Sequence, residues 1–463
     1  MKRCQRLACY LAILVLCVAA ASAEEKAPNS LDAFARRVWQ LTDLVFAKHI
    51  EPPTRQQMLL AGTRALLPPA RNKPTLELGQ RFSQVITQEE FLALLRELIP
   101  QGALSQEDQE RFLGGLCASV PGPARLVPPD ELRVMEQING NRYEGTGIQI
   151  AVEPKEKLVQ IQLAFPRSPA RLAGMKAGDL ILEVDGVDVR GDDIRKVVKL
   201  LRGEKGTPVS VLVRQPGEKE PRKLDMIRGT IPFELIVGRR RTGEESWDYR
   251  ADGHAPVAYA RMASLSASTL HELRQLERRL QAEGFRALVL DLRFVNGGSL
   301  EHAALVADGL LDGGLLWRTY DRQGSMREYR ADRDCLFRNW PLAVLVSGTM
   351  QSKAAMMLAA ALQDNRRAVV VGEATPEWDG SVDSLVAMSD QGAIILRTGR
   401  VERARPASAG SQVKPDHLVS LTEPQRQAVQ QWHMEQERGE PANAAATPED
   451  PQFTKAVEVL RLK

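Results

Sequence analysis

PLAVLVSGTMQSKAAMMLAAALQDNRRAVVVGEATPEWDGSVD, residues 341–383, is the stretch from which the fold is read. Residues 342–346 are a short apolar run closed by Ser347-Gly348, which reads as a buried strand entering a turn. Residues 353–363 are rich in Ala, Leu and Met and read as a helix. Residues 368–371 give a second buried strand, and Gly372 opens a loop. A strand, a turn and a helix in this order can mount a nucleophile where helix-terminal N–H groups stabilise an oxyanion. The nucleophile that such a frame needs is missing here.

The sequence before this stretch continues the alternation. Residues 255–262 read as a strand, and Thr269-x-x-Glu272 reads as a capping box ahead of Leu270, Leu273, Leu276 and Leu280 at helical spacing. Residues 285–293, FRALVLDLR, are a strong strand running into Phe294-Val295-Asn296-Gly297-Gly298, and another helix follows through Leu311. Alternating strands and helices predict an α/β core.

Further upstream, residues 143–228 change character. Gly145-Thr146-Gly147-Ile148 leads into an alternating strand at 148–152, and Val159, Ile161 and Leu163 alternate in the next. Ser168-Pro169-Ala170 marks a turn and short helix, residues 180–184 a strand, and Asp193 the cap of a helix with Ile194, Val197, Val198 and Leu201 on one face. Residues 209–213 close the set.

The N-terminal part reads as helical. Leu31, Phe34, Val38, Leu41 and Val45 share one helix face. Thr54-x-x-Gln57, Thr87-x-x-Glu90 and Ser105-x-x-Asp108 each open a further helix, so a small helical core is expected. Pro121-Gly122-Pro123 and Pro128-Pro129 mark a linker.

At 463 residues the chain is too long for one core. Lys+Arg 62 against Asp+Glu 59 gives a net charge of +3, and no basic patch interleaved with aromatics appears, so no nucleic-acid partner is expected. Residues 1–23 read as a secretory signal: Lys2, Arg3 and Arg6 precede an apolar run, and Ala21-Ser22-Ala23 is a small-residue cleavage site. The mature chain is expected to be exported, periplasmic or otherwise soluble in the cell envelope, without a stable membrane anchor. Cys4, Cys9 and Cys17 leave with that segment, and Cys117 and Cys335 remain, most simply unpaired. Histidines are scattered with no pair at ligand spacing, so neither a metal nor a cofactor is expected.

The middle module resembles a PDZ domain through Gly145-Thr146-Gly147-Ile148, Ser168-Pro169-Ala170 and Gly178-Asp179-Leu180-Ile181-Leu182. The resemblance implies that the loop's N–H groups receive a peptide carboxylate, with the peptide added as a strand beside 148–152 and packed against the helix from Ile194. Its peptide-binding residues would be Gly145, Thr146, Gly147, Ile148, Gln149, Ile150 and Val197. Signal, helices, PDZ and α/β core in this order resemble the carboxy-terminal processing (tail-specific) serine proteases. Carrying the likeness are Leu290-Asp291-Leu292-Arg293 with Gly297-Gly298, Ala361-Leu362-Gln363-Asp364-Asn365, Val371-Gly372-Glu373, Gly380-Ser381-Val382 and Lys414-Pro415-Asp416. The expected fold class is therefore multidomain α+β. It comprises a signal (1–23), a helical N-terminal region with an insertion at about 70–120 (24–142), a PDZ domain (143–230), a protease-like α/β core of ClpP/crotonase type (231–422) and a polar C-terminal tail, a helix and then a flexible linker (423–463).

That family cuts peptide bonds with a serine, a lysine that must be neutral to act as base, and a glutamine that orients the lysine. Counted forward from Pro341 the serine falls at Ala354; counted back from Asp364 it falls at Ala355. Anchored on Gly380-Ser381-Val382, the lysine falls at Asp379 and the glutamine at Asp383, and Asn296 replaces the proline usual before the paired glycines. No catalytic role is intact. Ser352 and Lys353 are the weak substitutes, but neighbours on a helix diverge by about 100°, and a capping serine beside an exposed lysine is the plainer reading. Cys335 qualifies by type alone, and Asp379 with Asp383 reads as a solvated pair of carboxylates.

The resulting expectation is a pseudo-protease that binds peptide C-termini or unfolded segments and does not cut them. An active protease relative and a second copy of the chain are the further partners that the resemblance admits. A serine-type endopeptidase with a nucleophile relocated to Ser352 or Ser347, and a structural cell-envelope scaffold, are the alternatives.

Overall fold

The computed structural model describes residues 30–66, 76–99, 103–140, 143–251, 256–405, 412–438 and 447–461, apart from positions 155, 192, 216, 219, 232, 244–245 and 333–334. The segment read as a signal, with Cys4, Cys9, Cys17 and the cleavage site expected at Ala23, lies outside the described residues.

Residues up to 124, apart from 48–51, form one unit. Its helices Leu31–Lys48, Arg55–Leu66, Leu76–Ser83, Gln88–Leu98 and Gln106–Ala118 bury Phe34, Phe82, Phe91 and Phe112, with Phe34 edge-on to Phe112 at 5.2 Å. Thr87 and Glu90 form the full capping box, and Ser105 caps the last of these helices through the amide of Asp108. The segment read as an insertion supplies much of this core.

The second unit runs from 125 to the end, with 48–51. Its central sheet sets Val257–Met262, Ala287–Asp291, Leu342–Val346, Val369–Gly372 and His417–Leu418 parallel in that spatial order, and Ile236–Val237 adds antiparallel outside the first. Period-two alternation splits the strands between two cores. Ala258, Ala260, Leu288, Leu290, Val344 and Val346 pack with helices Thr269–Ala282, Leu300–Leu310 and Lys353–Asp364. Tyr259, Val289, Ala343, Leu345 and Val371 pack with Phe453, Ala456, Val457 and Leu460 of helix Pro451–Arg461. Near-continuous apolar strands follow from cover on both faces.

That last helix corrects the reading of 423–463 as a polar tail. Residues 423–438 are a helix, and Pro451–Arg461 closes one face of the sheet. Arg293, fully buried, binds Asp291 and Asp450 at 2.8 Å each and Gln452 at 2.9 Å, which ties the C-terminal segment to the end of strand Ala287–Asp291.

A second sheet combines Gly314–Asp321, Met326–Ala331, Ser381–Ala387 and Ala393–Arg403. Arg125–Val127, inside the segment read as linker, pairs with Ala393–Arg403 as an edge strand. The middle module is a five-stranded path led by Ile148–Val152, and it includes Arg222–Ile227, a strand that the sequence reading missed. The capping box read at Thr269 and Glu272 does not form: Ser268 is the cap position, and Glu272 turns to the amides of Leu235 and Ile236. Burial pushes the Glu272 carboxyl up to about 7. No described helix is long and apolar enough to cross a membrane.

Candidate active site

Strand Leu342–Val346 ends in the loop 347–351, and helix Lys353–Asp364 starts behind the N-cap Ser352. The Ser352 hydroxyl accepts the Ala355 amide at 3.2 Å and donates to the Gly297 carbonyl at 2.7 Å. It thereby pins the paired-glycine loop to the helix N-terminus. Gly298 sits at φ +96°, and a Cβ there would press on Leu265, so only glycine fits. Together these parts wall a cleft of about 700 Å³ lined by Asn296, Gly297, Ser352, Lys353, Ala354, Trp378, Ser381 and Asp383, among others.

The opposite wall is strand Ser381–Ala387. Its register against Ala393–Arg403 sets Asp383 directly across from Arg397, and a bulge between Val382 and Asp383 re-aims the strand at this point. Lys353 reaches over from the helix: Nζ donates to Asp383 Oδ2 at 2.6 Å and to Ser381 Oγ at 3.0 Å. Arg397 binds Asp379 at 3.0 Å and stands 3.7 Å from Asp383. The hydrogen bond from Ser381, with Arg397 and Lys353 nearby, holds the Asp379 carboxyl below its usual range. The Trp378 indole donates to Ser381 O at 3.1 Å, with Lys353 Nζ 5.5 Å from its ring centre.

One reading is corrected by this arrangement and another holds in part. Lys353 is not an exposed lysine but a half-buried one in an ion pair, because its long stem spans the cleft. Asp379 is exposed, as a solvated carboxylate would be, whereas Asp383 is largely buried, and each pairs with a cation from a facing element. Ser352 is the helix cap that its position suggested. Between the two alanines, Ala354 lines the cleft and Ala355 is completely buried. Ser347 is buried against Thr349. Cys335 donates its thiol to the carbonyls of Leu310 and Leu336, and burial pushes that thiol up, away from a thiolate. Neither Cys117 nor Cys335 is in a disulfide bond. Among the described residues, no group of three or more His, Cys, Asp or Glu could hold a metal ion.

Sequence reasoning missed Arg397, whose role needs the strand register, and Arg426. Arg426, from helix Glu423–Arg438, grips both oxygens of Glu373 at 2.8 and 2.9 Å, and Glu373 also accepts the Gly348 amide at 3.3 Å. The guanidinium holds the Glu373 carboxyl below its usual range. The pair braces the loop that leads into the helix.

At the start of helix Lys353–Asp364 the serine and the lysine that line the cleft are both already engaged. An ammonium that donates to a carboxylate has no lone pair to accept a proton. A methyl group at Ala354 attacks nothing, and the one hydroxyl at the helix start donates to a carbonyl already.

The middle module offers a different site. Strand Ile148–Val152 is an end strand of its sheet, paired with Val159–Ala164 alone among the described residues. Phe165 N–H donates to Gly147 O at 2.9 Å, which makes Ile148 and Ala164 a non-hydrogen-bonded pair. The N–H and C=O of Ile148 therefore point to the open edge. Gly147 holds φ +76°, and its missing Cβ leaves room for Ser168 and Ile231. Gly145, Thr146 and Gly147 precede the strand, and Ile148 and Ile150 pack half-exposed on the same core as Ile194, while Gln149 is exposed. Val197 is corrected: it lies with Leu201 on the stripe buried in the domain core, and Ile194 and Val198 hold the half-exposed positions.

Comparison with known proteins agrees with the two-part layout. The sequence profile of peptidase family S41 matches residues 256–419, and that of the PDZ domain matches residues 164–215. A carboxyl-terminal-processing protease of Picosynechococcus sp. is 31% identical over 313 residues, covering 67% of this chain and 72% of the relative. A carboxy-terminal-processing protease of Bartonella bacilliformis is 26% identical over 323 residues, 68% and 70% of the two chains. A solved photosystem II D1 C-terminal processing protease is 23% identical, covers 84% of this chain and 93% of its own, and superposes with a TM-score of 0.44.

Proposed function

Because this chain belongs to peptidase family S41, with the carboxyl-terminal-processing proteases, we propose that it is an exported, non-cleaving member that binds peptide C-termini or unfolded segments through its PDZ domain. The observation that carries the reading is the ion-paired cleft. Where the family's base and its orienting amide would stand, this chain has Asp379 and Asp383, and Arg397 and Lys353 neutralise them. Ala354 fills the place of the nucleophile. The open edge of strand Ile148–Val152 and its glycine loop keep the parts that receive a peptide carboxylate.

The relocated-nucleophile alternative draws on one observation, that Ser352 lines the cleft. Its bond to Gly297 and the engagement of Lys353 with Asp383 weigh against it. The test uses the mature chain, 24–463, and a dye-labelled peptide ending in an apolar residue with a free carboxylate. Anisotropy should rise, the peptide's mass should stay unchanged overnight, and an amidated copy should not bind. A shortened peptide, or equal binding of the amidated copy, would refute the proposal.

A further inference from the structure

The rim of the peptide groove carries a charge bias that the groove itself does not need. On helix Ile194–Leu201, successive residues turn by about 100°. Val197 and Leu201 point into the core, Ile194 and Val198 lie beside them half-exposed, and Arg195 and Lys199 follow on the outer flank, both exposed. Arg202, at the helix end, donates to Tyr143 Oη at 3.2 Å, next to the loop that leads to Gly147. Two of the carboxylates on the flanking segments are turned to backbone: Asp193 caps the helix by accepting the Arg195 amide at 2.8 Å, with the Arg195 side chain only loosely paired at 3.7 Å, and Glu144 accepts the Lys205 amide at 3.3 Å. The two strands on the other side, Ile148–Val152 and Val159–Ala164, carry no charged residue, only Gln149, Gln160 and Gln162 as polar ones.

An extended peptide laid along Ile148–Val152 shows alternate side chains to opposite sides. With its carboxylate at the Gly147 loop, its last residue and the one at −2 face Ile148, Ile150 and Ile194. Those at −1 and −3 face outward, past the flank of Arg195 and Lys199. Charge complementarity at such a rim sets partner choice more than gross affinity.

Resting on the reading that the groove takes a free C-terminus, we infer that its ligands are acidic tails: apolar at the last and −2 positions, Asp or Glu at −1 and −3, selected by Arg195 and Lys199.

The test measures anisotropy of dye-labelled heptapeptides ending Ser-Val-Ser-Val, Asp-Val-Asp-Val and Lys-Val-Lys-Val with the mature chain and its Arg195→Glu/Lys199→Glu variant. At about 50 mM salt the Asp peptide should bind roughly tenfold tighter than the Ser peptide and the Lys peptide roughly tenfold weaker, with the spread shrinking at about 0.5 M salt. The variant should invert the order. Equal affinity for the Asp and Ser peptides, or an Asp preference that survives in the variant, overturns the inference while carboxylate binding stands. Failure of all three peptides to bind overturns the underlying reading and the inference with it.

Discussion

The PDZ groove and the protease-like cleft are both built around a glycine loop, yet they differ in what does the work. In the groove the groups on offer are backbone: the outward N–H and C=O of Ile148, set by ladder register, and a loop whose close approach Gly147 permits. In the cleft, on the proposed reading, the chemistry would depend on three side chains whose positions are held here by alanine and two aspartates. The scaffold around them persists, with the strand–turn–helix, the paired glycines pinned by Ser352, and the loop braced by Glu373 and Arg426. Backbone recognition tolerates side-chain change; side-chain catalysis does not. The proposed function is the case in which a fold keeps binding after hydrolysis is gone.

That contrast can be broken or sharpened experimentally. The largest effect is expected at Arg293, whose removal leaves Asp291 and Asp450 buried without their cation. Arg293→Met should destabilise the core by about 3–5 kcal/mol in urea unfolding. Peptide binding by the groove should persist at denaturant levels where the variant is still folded. Next, Gly147→Ala should weaken peptide binding about 30-fold, or about 2 kcal/mol, by anisotropy, since a Cβ there collides with Ser168 and φ is +76°. Unchanged affinity would remove the loop from the groove. Lys353→Met strands a carboxylate in the cleft. Because both partners are partly solvated, the cost should be only about 1 kcal/mol, with no change in peptide affinity.

The smallest effect is a pH trend at Glu272, whose carboxyl sits at about 7 in the fold against an ordinary 4.5. A raised acid binds its proton more tightly when folded, so stability is full below 4.5 and falls as pH climbs towards 7. Glu272→Gln should gain about 1 kcal/mol at pH 8, after discounting for partial solvation, and only about a quarter of that at pH 5. A gain at pH 5 as large as that at pH 8 would contradict this.

Much of this was legible in the sequence where local chemistry decides. The run from Pro341, the helix behind Ser352 and the box at Thr87 and Glu90 follow from apolar runs and caps within a few residues. What escaped depends on register or on distant partners. Arg397 meets Asp383 only because a bulged hairpin sets them opposite, and Lys353 changes from surface residue to ion-pair member once that strand arrives. Thr269 and Glu272 fit a capping pattern, but the amides of Leu235 and Ile236 won the carboxylate. The closing helix did carry a signal: Phe453, Ala456, Val457 and Leu460 repeat at helical spacing, masked by the polar residues before them.

The central claim is that the cleft binds nothing it can cut. It is tested most directly by incubating an unfolded, C-terminally labelled protein with residues 24–463 and, in parallel, with their Ser352→Ala variant, and following the label by gel and mass. The account predicts no cleavage by either. Cleavage by the native chain that disappears in Ser352→Ala would contradict it and make the capping serine a displaced nucleophile.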